Sequence, residues 1–449
     1  MYPTNDTIAT IASGPDGVIG IVRISGKDTF KVASSFILPN DFYKEKDNKY
    51  YLVKIIDPKT CKTIDRAVIL VYHAPKSYTR EDMIEIFCHN SPYIVRKILE
   101  LAIENGSRQA QAGEFTFRAY INGRIDLIQA EAINNLIKSE TEKQHEIALR
   151  QAEGSLSKKV KKIRSQIIDL ISEFEVRIDD SYEEMEDIDK CKFYTKIDEL
   201  VAVIKKLADT YKNSSIIKDG IKICIIGAPN CGKSTLLNTI IGYERLITSP
   251  IPGTTRDVVE IAFDINGFKT VFYDTAGIRE TDDPIEKEGI KRAIKTATVS
   301  DIILLLRDPL QSDDDYFKIK RILYENISKH TKILEIITKS DTVKERKTDG
   351  FYVSSFTGEN IKKLLFKITE IKQRINDNIF DEIIVSERHY QCLLKAAQEI
   401  EKIKDIHFHH YELVSEHLKN ALDAMEEIAG RTFSEEIIKN IFSRFCVGK

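Results

Sequence analysis

Three observations predict a multidomain fold of the α/β plus α+β class. A phosphate-binding-loop (P-loop) domain with a doubly wound, mostly parallel sheet is expected inside an all-helical domain, with an α+β domain at the N-terminus. The first observation is length, since 449 residues exceed what one hydrophobic core organises and call for about three domains. The second is central: the apolar run Ile221 to Ile226 meets Gly227-Ala228-Pro229-Asn230-Cys231-Gly232-Lys233-Ser234, and Thr235-Leu236-Leu237-Asn238 opens a helix. The third is periodicity. Helical spacing lies on both sides of a segment that alternates strands with helices, so each helical part needs an apolar partner that the other can supply.

Composition narrows the class further. Hydrophobic residues make up 42% and charged residues 31%, as in an ordinary globular protein. Lys+Arg (67) and Asp+Glu (70) nearly cancel to a net charge of -3, so no global positive field advertises nucleic acid and any RNA contact rests on a local patch. The first residues, Met1-Tyr2-Pro3-Thr4-Asn5-Asp6, lack a basic segment followed by an apolar core, and no apolar run approaches bilayer length. A cytoplasmic protein without membrane attachment is expected. Seven cysteines (61, 88, 191, 224, 231, 392 and 446) without C-x-x-C pairing argue against a disulfide framework or zinc cluster.

Taken in order, residues 1–117 mix alternating apolar runs with turn signals, as in Gly17 to Gly26 and Ala67 to Tyr72, which predicts an α+β module with helices near Lys27 to Phe36 and Ser91 to Glu104. From Asp126 the period turns helical, with Leu127, Ala130, Ile133, Asn134 and Ile137 on one stripe and Asp126 and Gln129 spaced as an N-cap pair. Helical character runs to about Tyr211. It contains a basic cluster, Lys158 to Arg164, read as a solvated face, and an acidic one, Asp179 to Asp187. Asn213-Ser214-Ser215 and Asp219-Gly220 mark a linker. The α/β segment follows, with a hairpin from Val259 to Asp274 around Asn266-Gly267 and strands at Ile302 to Leu306, Ile333 to Ile337 and Phe351 to Val353. After Asn376-Asp377-Asn378 helices resume, and Thr432 with Glu435 forms a capping box before Phe433, Ile437, Ile441 and Phe445. The expected domains are 1–117, then 118–213 with 376–449, and 216–374.

The central stretch is a phosphate cradle. Its glycines turn backbone N–H groups toward an anion, the helix offers its positive end, Lys233 adds a cation, and the Ser234 hydroxyl can ligate Mg²⁺. Asp274-Thr275-Ala276-Gly277 follows a strand directly, which places Asp274 for the Mg²⁺ shell and the Gly277 N–H for a γ-phosphate. Between them, Gly253-Thr254-Thr255-Arg256-Asp257 offers hydroxyls that complete that shell. Thr338-Lys339-Ser340-Asp341 ends a strand and resembles the N-K-x-D guanine motif. Asp341 can accept from the ring N–H and exocyclic NH₂ of guanine, and the Lys339 stem can pack on the base. Thr338 replaces the usual Asn, which predicts a looser loop. Ser354-Ser355-Phe356, after the next strand, is expected to contact the base through its backbone. Ile278 stands where a Gln positions water in Ras-type switches, so hydrolysis must be organised otherwise. The Asn230 carbonyl either ligates a monovalent cation beside the phosphates or simply stabilises the loop.

With these residues placed, the chain resembles the MnmE (TrmE) family of tRNA wobble-uridine modification GTPases over nearly its whole length. Beyond the nucleotide motifs, the resemblance rests on Asn5-Asp6-Thr7-Ile8, Gly20 to Gly26, Ala112 to Ala119, Asn122 to Leu127 with Gln129 to Ala132, and the ending Phe445-Cys446-Val447-Gly448-Lys449. It implies a dimerising N-terminal domain that binds 5-formyl-tetrahydrofolate or a related one-carbon folate through Arg23, Glu85, Lys449, and Arg124, a position where the family often has Lys. It implies that Asn230, Ser249, Ile251 (through its backbone) and Thr254 ligate K⁺, that Ser234 and Thr255 ligate Mg²⁺, and that Glu286 helps orient the water. GTP and GDP would meet Asn230, Cys231, Gly232, Lys233, Ser234, Thr235, Ser249, Thr254, Thr255, the 274–277 motif, Thr338, Lys339, Asp341 and Ser354 to Phe356. Cys446 falls where the family places modification chemistry. Implied partners are a second copy, tRNA, and an MnmG-like FAD protein in a heterotetramer or larger complex. One departure is His89-Asn90-Ser91-Pro92, where the family commonly has Gly after His.

Two function classes stay open. One is a K⁺-activated GTPase that installs an aminomethyl-type group at C5 of uridine-34. The other is a ribosome-assembly or RNA-binding GTPase switch, which performs no covalent chemistry and needs neither a folate pocket nor Cys446.

Overall fold

The computed structural model describes residues 2–44, 48–178, 189–247, 259–274, 295–327, 331–343, 345–346, 350–373, 384, 386–407, 410–430, 438, 441–443 and 445. Two compact units divide the chain: Met1–Asn134, Gln151–Ile197 and Lys395–Lys449 form one, Asn135–Arg150 and Asp198–Leu394 the other.

In the first unit, strands β1 (Ile8–Ile11), β2 (Ile19–Ser25), β3 (Ile37–Leu38), β4 (Lys49–Ile56), β5 (Thr63–Tyr72), β6 (Met83–His89) and β7 (Arg108–Gln109) form a sheet in the order β3-β4-β5-β6-β2-β1-β7. Its pairs are antiparallel except β1 with β7. Alternation decides the faces. Val22 and Ile24, Ile69 and Val71, and Ile84 and Ile86 turn into a core, shared with residues of helices α1 (Thr29–Ser34) and α2 (Pro92–Glu104) such as Val32, Ala33, Ile98 and Leu101. Arg23, Tyr72 and Glu85 therefore belong to the opposite face. Helix α2 starts with Ser91 in extended conformation and Pro92 in its first turn, where a missing N–H costs nothing.

Helix α3 (Glu114–Ile121) carries a fully buried arginine. Arg118 donates to Asp6 Oδ1 at 2.5 Å, to the Asp6 carbonyl at 2.8 Å and to Glu81 at 3.2 Å, while Glu114, also fully buried, takes Arg108 at 2.6 Å. This ion cluster explains two of the sequence signatures, Asn5 to Ile8 and Ala112 to Ala119, as structural. Buried charges persist only when paired. Gly113 adopts φ +69°, and a Cβ there would lie 2.4 Å from the Phe442 carbonyl.

Helix α4 (Leu127–Ile137) begins with the expected reciprocal cap: the Gln129 N–H donates to Asp126 Oδ1 at 2.9 Å and the Asp126 N–H to Gln129 Oε1 at 3.1 Å. Leu127 and Ala130 of the expected stripe are fully buried, but Ile128 and Ala132 join them in place of Ile133, Asn134 and Ile137, and Ile137 is 37% exposed. After α5 (Glu142–Ala152), the long helix α6 (Ser155–Ile178) buries Leu156, Val160, Ile163, Ile167, Leu170 and Phe174 at three- and four-residue spacing. The Lys158, Lys161 and Lys162 side chains of α6 are exposed, as expected for a solvated face. A late helix of the chain, Tyr411–Ala429, packs on α6: Phe174 meets Tyr411 at 5.6 Å, and Arg164 pairs with Glu426 at 2.8 Å. Phe174 also meets Phe193 of α7 (Lys190–Asp209) at 5.0 Å.

The second unit holds the α/β core. Helix α8 (Ser214–Lys218) leads into β8 (Ile221–Gly227). Then come α9 (Lys233–Tyr243), β9 (Arg245–Ile247), β10 (Val259–Ile265), β11 (Phe268–Asp274), β12 (Ile302–Arg307), α10 (Asp313–Asn326), β13 (Lys332–Ile337), β14 (Phe351–Tyr352) and α11 (Ile361–Gln373). The sheet order is β14-β13-β12-β8-β11-β10-β9, parallel except for the pairs β10 with β11 and β9 with β10. In β8, Ile221, Ile223 and Ile225 enter one apolar cluster and Cys224 and Ile226 the other, as expected for a strand covered on both faces. The expected hairpin turns at Asn266 (φ 52°) and Gly267 (φ 82°), the two left-handed positions such a turn requires. Strand β9 was not anticipated; its three residues are too few to show a period. Residues 135–150 join this unit through Lys269, which pairs with Glu140 at 2.6 Å, and Gln144, which donates to the Ile217 carbonyl at 2.7 Å. Helices α12 (Glu387–Lys402) and α13 (Tyr411–Ala429) complete the described elements. No helix among the described residues is long and apolar enough to cross a membrane.

Candidate functional site

The nucleotide motifs converge at the C-terminal ends of β8, β12, β13 and β14, the edge where open parallel sheets bind ligands. After β8, Asn230 (φ 59°) and Gly232 (φ 93°) turn the loop left-handed twice before α9 begins. A Cβ on Gly227 would sit 2.5 Å from the Cys231 sulfur and 2.9 Å from the Leu306 carbonyl, so the cradle requires glycine there. The Lys233 ammonium donates to the carbonyls of Gly227 (3.1 Å) and Ala228 (2.8 Å), which hold it over the loop. Asn230, Ser234 and Thr235 are exposed. Cys231 is fully buried, and burial pushes its thiol pKa up despite Lys233, so only its backbone can face a nucleotide.

Thr338 does more than the sequence suggested. The residue is 4% exposed, and its hydroxyl lies 2.8 Å from the Cys231 carbonyl and 3.2 Å from that of Arg307. The Arg307 carbonyl already accepts the Thr338 N–H at 2.9 Å, so the Cys231 carbonyl is the hydroxyl's acceptor in need. The end of β13 is thereby tied to the phosphate loop, not left loose. Lys339 takes a left-handed φ of 53° and its ammonium reaches Asp308 at 2.6 Å, a residue buried at the end of β12. Asp341 is exposed; one of its oxygens accepts from the Ser354 hydroxyl at 2.5 Å, which fixes the carboxylate. The 354–356 loop is itself braced. Glu359 receives the Ser340 hydroxyl at 2.7 Å and both arms of Arg346 at 2.6 and 2.9 Å, while its carbonyl accepts the Ser354 N–H at 3.2 Å. The Ser355 carbonyl lies 3.2 Å from the Thr239 hydroxyl, and Phe356 is 90% exposed.

Sequence reasoning missed Asp308, Gln311, which donates to the Pro229 carbonyl at 3.1 Å, and the Arg346–Glu359 brace. An Asp directly after an apolar strand was a readable signal; the other two had none. Asp274 ends β11, and only its backbone is described. Ser249, Ile251, Thr254, Thr255, Thr275, Ala276, Gly277, Ile278, Glu286, Cys446 and Lys449 lie outside the described residues, as do the acidic cluster at 179–187 and the Thr432–Glu435 cap.

A second site lies on the β-sheet of the first unit. Arg23 and Glu85 stand directly opposite each other on β2 and β6, 2.5 Å apart at their charged ends. They line a pocket of about 350 Å³ with Tyr72, Lys76, Tyr78 and Arg124 among others. Arg23 and Arg124 approach the Tyr78 ring to 6.0 and 5.6 Å. The Tyr72 hydroxyl is 3.4 Å from Glu85; burial, and then that carboxylate, push its pKa up. Three of the four expected folate residues thus meet in one pocket, while Tyr72, Lys76 and Tyr78 gave no sequence signal. At the segment that departs from the family pattern, the Asn90 amide faces the carbonyls of Gly14, Pro15 and Gly17 at 3.0–3.1 Å, so a side chain shapes that loop. Among the described residues, no cluster of three or more His, Cys, Asp or Glu could hold a metal.

Comparison with known proteins adds the following. Residues 127–446 match the family described as MnmE helical domain, and residues 7–124 that described as GTP-binding protein TrmE N-terminus. The chain is 38% identical over 361 residues to the tRNA modification GTPase MnmE of Thermus thermophilus, covering 80% of this chain and 81% of that one. It is 42% identical over 347 residues to that of Clostridioides difficile (76% and 74%) and 41% identical over 347 residues to that of Alkaliphilus oremlandii (76% and 74%).

Proposed function

The chain belongs to the MnmE family of tRNA modification GTPases, and from that premise we propose that it is a K⁺-activated GTPase acting on wobble uridine-34. With an MnmG-like flavoprotein in a heterotetramer or larger complex, it adds a (carboxymethyl)aminomethyl group at C5 of that base in certain tRNAs. The one-carbon unit comes from 5-formyl-tetrahydrofolate or a related folate. The observation that carries the nucleotide reading is the meeting of the phosphate loop with Thr338, Asp341 and Ser354 on one sheet edge.

In this reading, backbone N–H groups of residues 230–235 and the Lys233 ammonium hold the phosphates, and Asp341 with the backbone of Ser354 to Phe356 reads guanine. Ser234 and Thr255 would hold Mg²⁺, and Asn230, Ser249, the backbone of Ile251 and Thr254 would hold K⁺. When bound, these cations offset the charge that grows on the phosphate oxygens. The exposed hydroxyl of Ser234 and the exposed amide of Asn230 fit those roles. Glu286 orients the attacking water, a task that Ile278 cannot perform. GTP turnover drives the G domains of two copies together, and Cys446 serves the modification chemistry.

In the other unit, Arg23, Glu85 and Arg124, with Lys449, take the folate: guanidinium and ammonium groups suit its carboxylates, and Glu85 accepts from its donor-rich ring. Homodimerisation through this domain is supported by an exposed apolar row across paired strands, Leu52 (76%) opposite Val68 (39%). The division into 1–117, 118–213 with 376–449, and 216–374 remains the proposed one, with a cytoplasmic location.

Two experiments test the reading. GTP turnover is expected to rise in K⁺ over Na⁺, and equal rates would remove K⁺ activation. Nucleoside analysis of tRNA from cells lacking this protein is expected to show wobble uridine without its C5 substituent, and unchanged nucleosides would remove the biological role.

A further inference from the structure

The pocket on the first unit's sheet holds more positive charge than it neutralises. Arg23, Lys76 and Arg124 line it against a single carboxylate, Glu85. Arg23 matches Glu85 at 2.5 Å, which leaves the other two cations. Arg124 spends one N–H on the Ser77 carbonyl and rests on the Tyr78 ring, so four of its five donors stay available. Lys76 is exposed, and its ammonium meets no partner among the described residues. Its backbone is nevertheless fixed on both sides: the N–H donates to the His73 carbonyl at 2.8 Å, and the carbonyl accepts from Asn48 Nδ2 at 2.9 Å. The result is a cation pinned at its root and open at its head. It sits one residue before the carbonyl that anchors Arg124.

We propose that Lys76, beside Arg124, forms an anion subsite that selects ligands carrying a carboxylate tail. The proposal rests on the folate reading of this pocket and deepens it, because it gives the pocket a direction. Glu85, with one oxygen held by Arg23 and the Tyr72 hydroxyl within 3.4 Å of the other, takes the donor-rich ring. Lys76 and Arg124 take the glutamyl carboxylates at the other end. A ring without such a tail leaves the ammonium in water and gains nothing from it. The contribution is that of a solvent-facing ion pair, hence modest and screened by salt.

Equilibrium dialysis with the full chain tests this, using two probes: 5-formyl-tetrahydrofolate, and its analogue that ends at the p-aminobenzoate and lacks the glutamate. Lys76→Ala is expected to weaken the first about two- to fivefold and to leave the second unchanged, and added salt should narrow the gap. Lys76→Arg should restore most of the loss. Circular dichroism melting of each variant checks that the fold persists. If the wild type binds neither probe, the folate reading itself fails. If the wild type binds the folate and Lys76→Ala binds it equally well, or loses both probes alike, the anion subsite is refuted while the folate reading stands.

Discussion

Replacing Thr338 by Val removes one hydroxyl and keeps the shape of the side chain. The residue is 4% exposed, and its hydroxyl donates to the Cys231 carbonyl at 2.8 Å, across 107 residues of sequence. Its other neighbour, the Arg307 carbonyl, keeps the Thr338 N–H at 2.9 Å and loses nothing. The cost is therefore one buried carbonyl left without a donor, about 1–3 kcal/mol. That carbonyl lies inside the phosphate loop, so its reorientation moves the groups that hold the nucleotide. Taking about 1.4 kcal/mol per factor of ten, a cost borne in the bound state weakens GDP about fivefold at the low end and about a hundredfold at the high end. Titration with a fluorescent GDP analogue reads this directly, and Thr338→Ser, which keeps the donor, should recover most of the affinity. A Thr338→Val protein that binds GDP like the wild type would refute the tether, even if its melting temperature fell.

Three further outcomes are expected. Asn230→Ala should still bind GTP through Lys233 and Ser234 but lose K⁺ stimulation, and retained stimulation in a K⁺ titration would return Asn230 to a loop-stabilising amide. Asp341→Asn swaps one acceptor oxygen for a donor and should lower the preference for guanine while favouring xanthine, which carries a carbonyl where guanine has its amine; competition binding with GDP and XDP checks this, and an unchanged ranking would count against Asp341 as the base reader. Arg118→Leu removes the fully buried cation shared by Asp6, Glu81 and Glu114; Arg108 still holds Asp6 and Glu114, but among the described residues Glu81 keeps only the Ser25 hydroxyl, and the change should cost about 3 kcal/mol in urea unfolding followed by circular dichroism. The same cluster sets an acid limit. Burial raises the Asp6 pKa, but hydrogen bonds from Arg108 and Arg118 outweigh it and hold the carboxyl below its ordinary 3.8. Its stabilisation is complete above that pH and is lost as the pH falls through the depressed folded value. The melting temperature should thus drop below about pH 4, and less steeply in Asp6→Asn; parallel slopes would exclude Asp6 as the titrating group.

Much of this protein was legible in one dimension because the deciding interactions are local. The phosphate loop, the Asn266-Gly267 turn and the Asp126–Gln129 cap each close within a few residues, so residue type and spacing suffice to name them. Strand and helix periods likewise placed the parallel sheet and its antiparallel hairpin. The period held only in part on α4: Leu127 and Ala130 are buried as expected, but the burial of Ile128 and Ala132 in place of Ile137 is set by what packs against the helix, not by the helix itself. Other signatures gained a physical reason: the segments around Asp6 and Arg118, which carried only the family resemblance, are the two sides of a buried ion cluster.

What only the tertiary structure decided is which distant groups share a hydrogen bond. Strand order brings Thr338 to Cys231 and Lys339 to Asp308, and strand register sets Arg23 opposite Glu85, 62 residues away, on the face that alternation leaves outside the core. Register is a property of two strands together; a shift of one residue would send Arg23 into the apolar core. The same pairing assembles Tyr72, Lys76 and Tyr78 around that pocket, although nothing in their own neighbourhoods distinguishes them. The sequence alone named the chemistry of the phosphate loop, because a loop carries its own donors. The resemblance named Arg23, Glu85 and Arg124, but not the pocket they share, whose walls come from separate strands and from the segments after β5 and α3 and exist only once the sheet has closed.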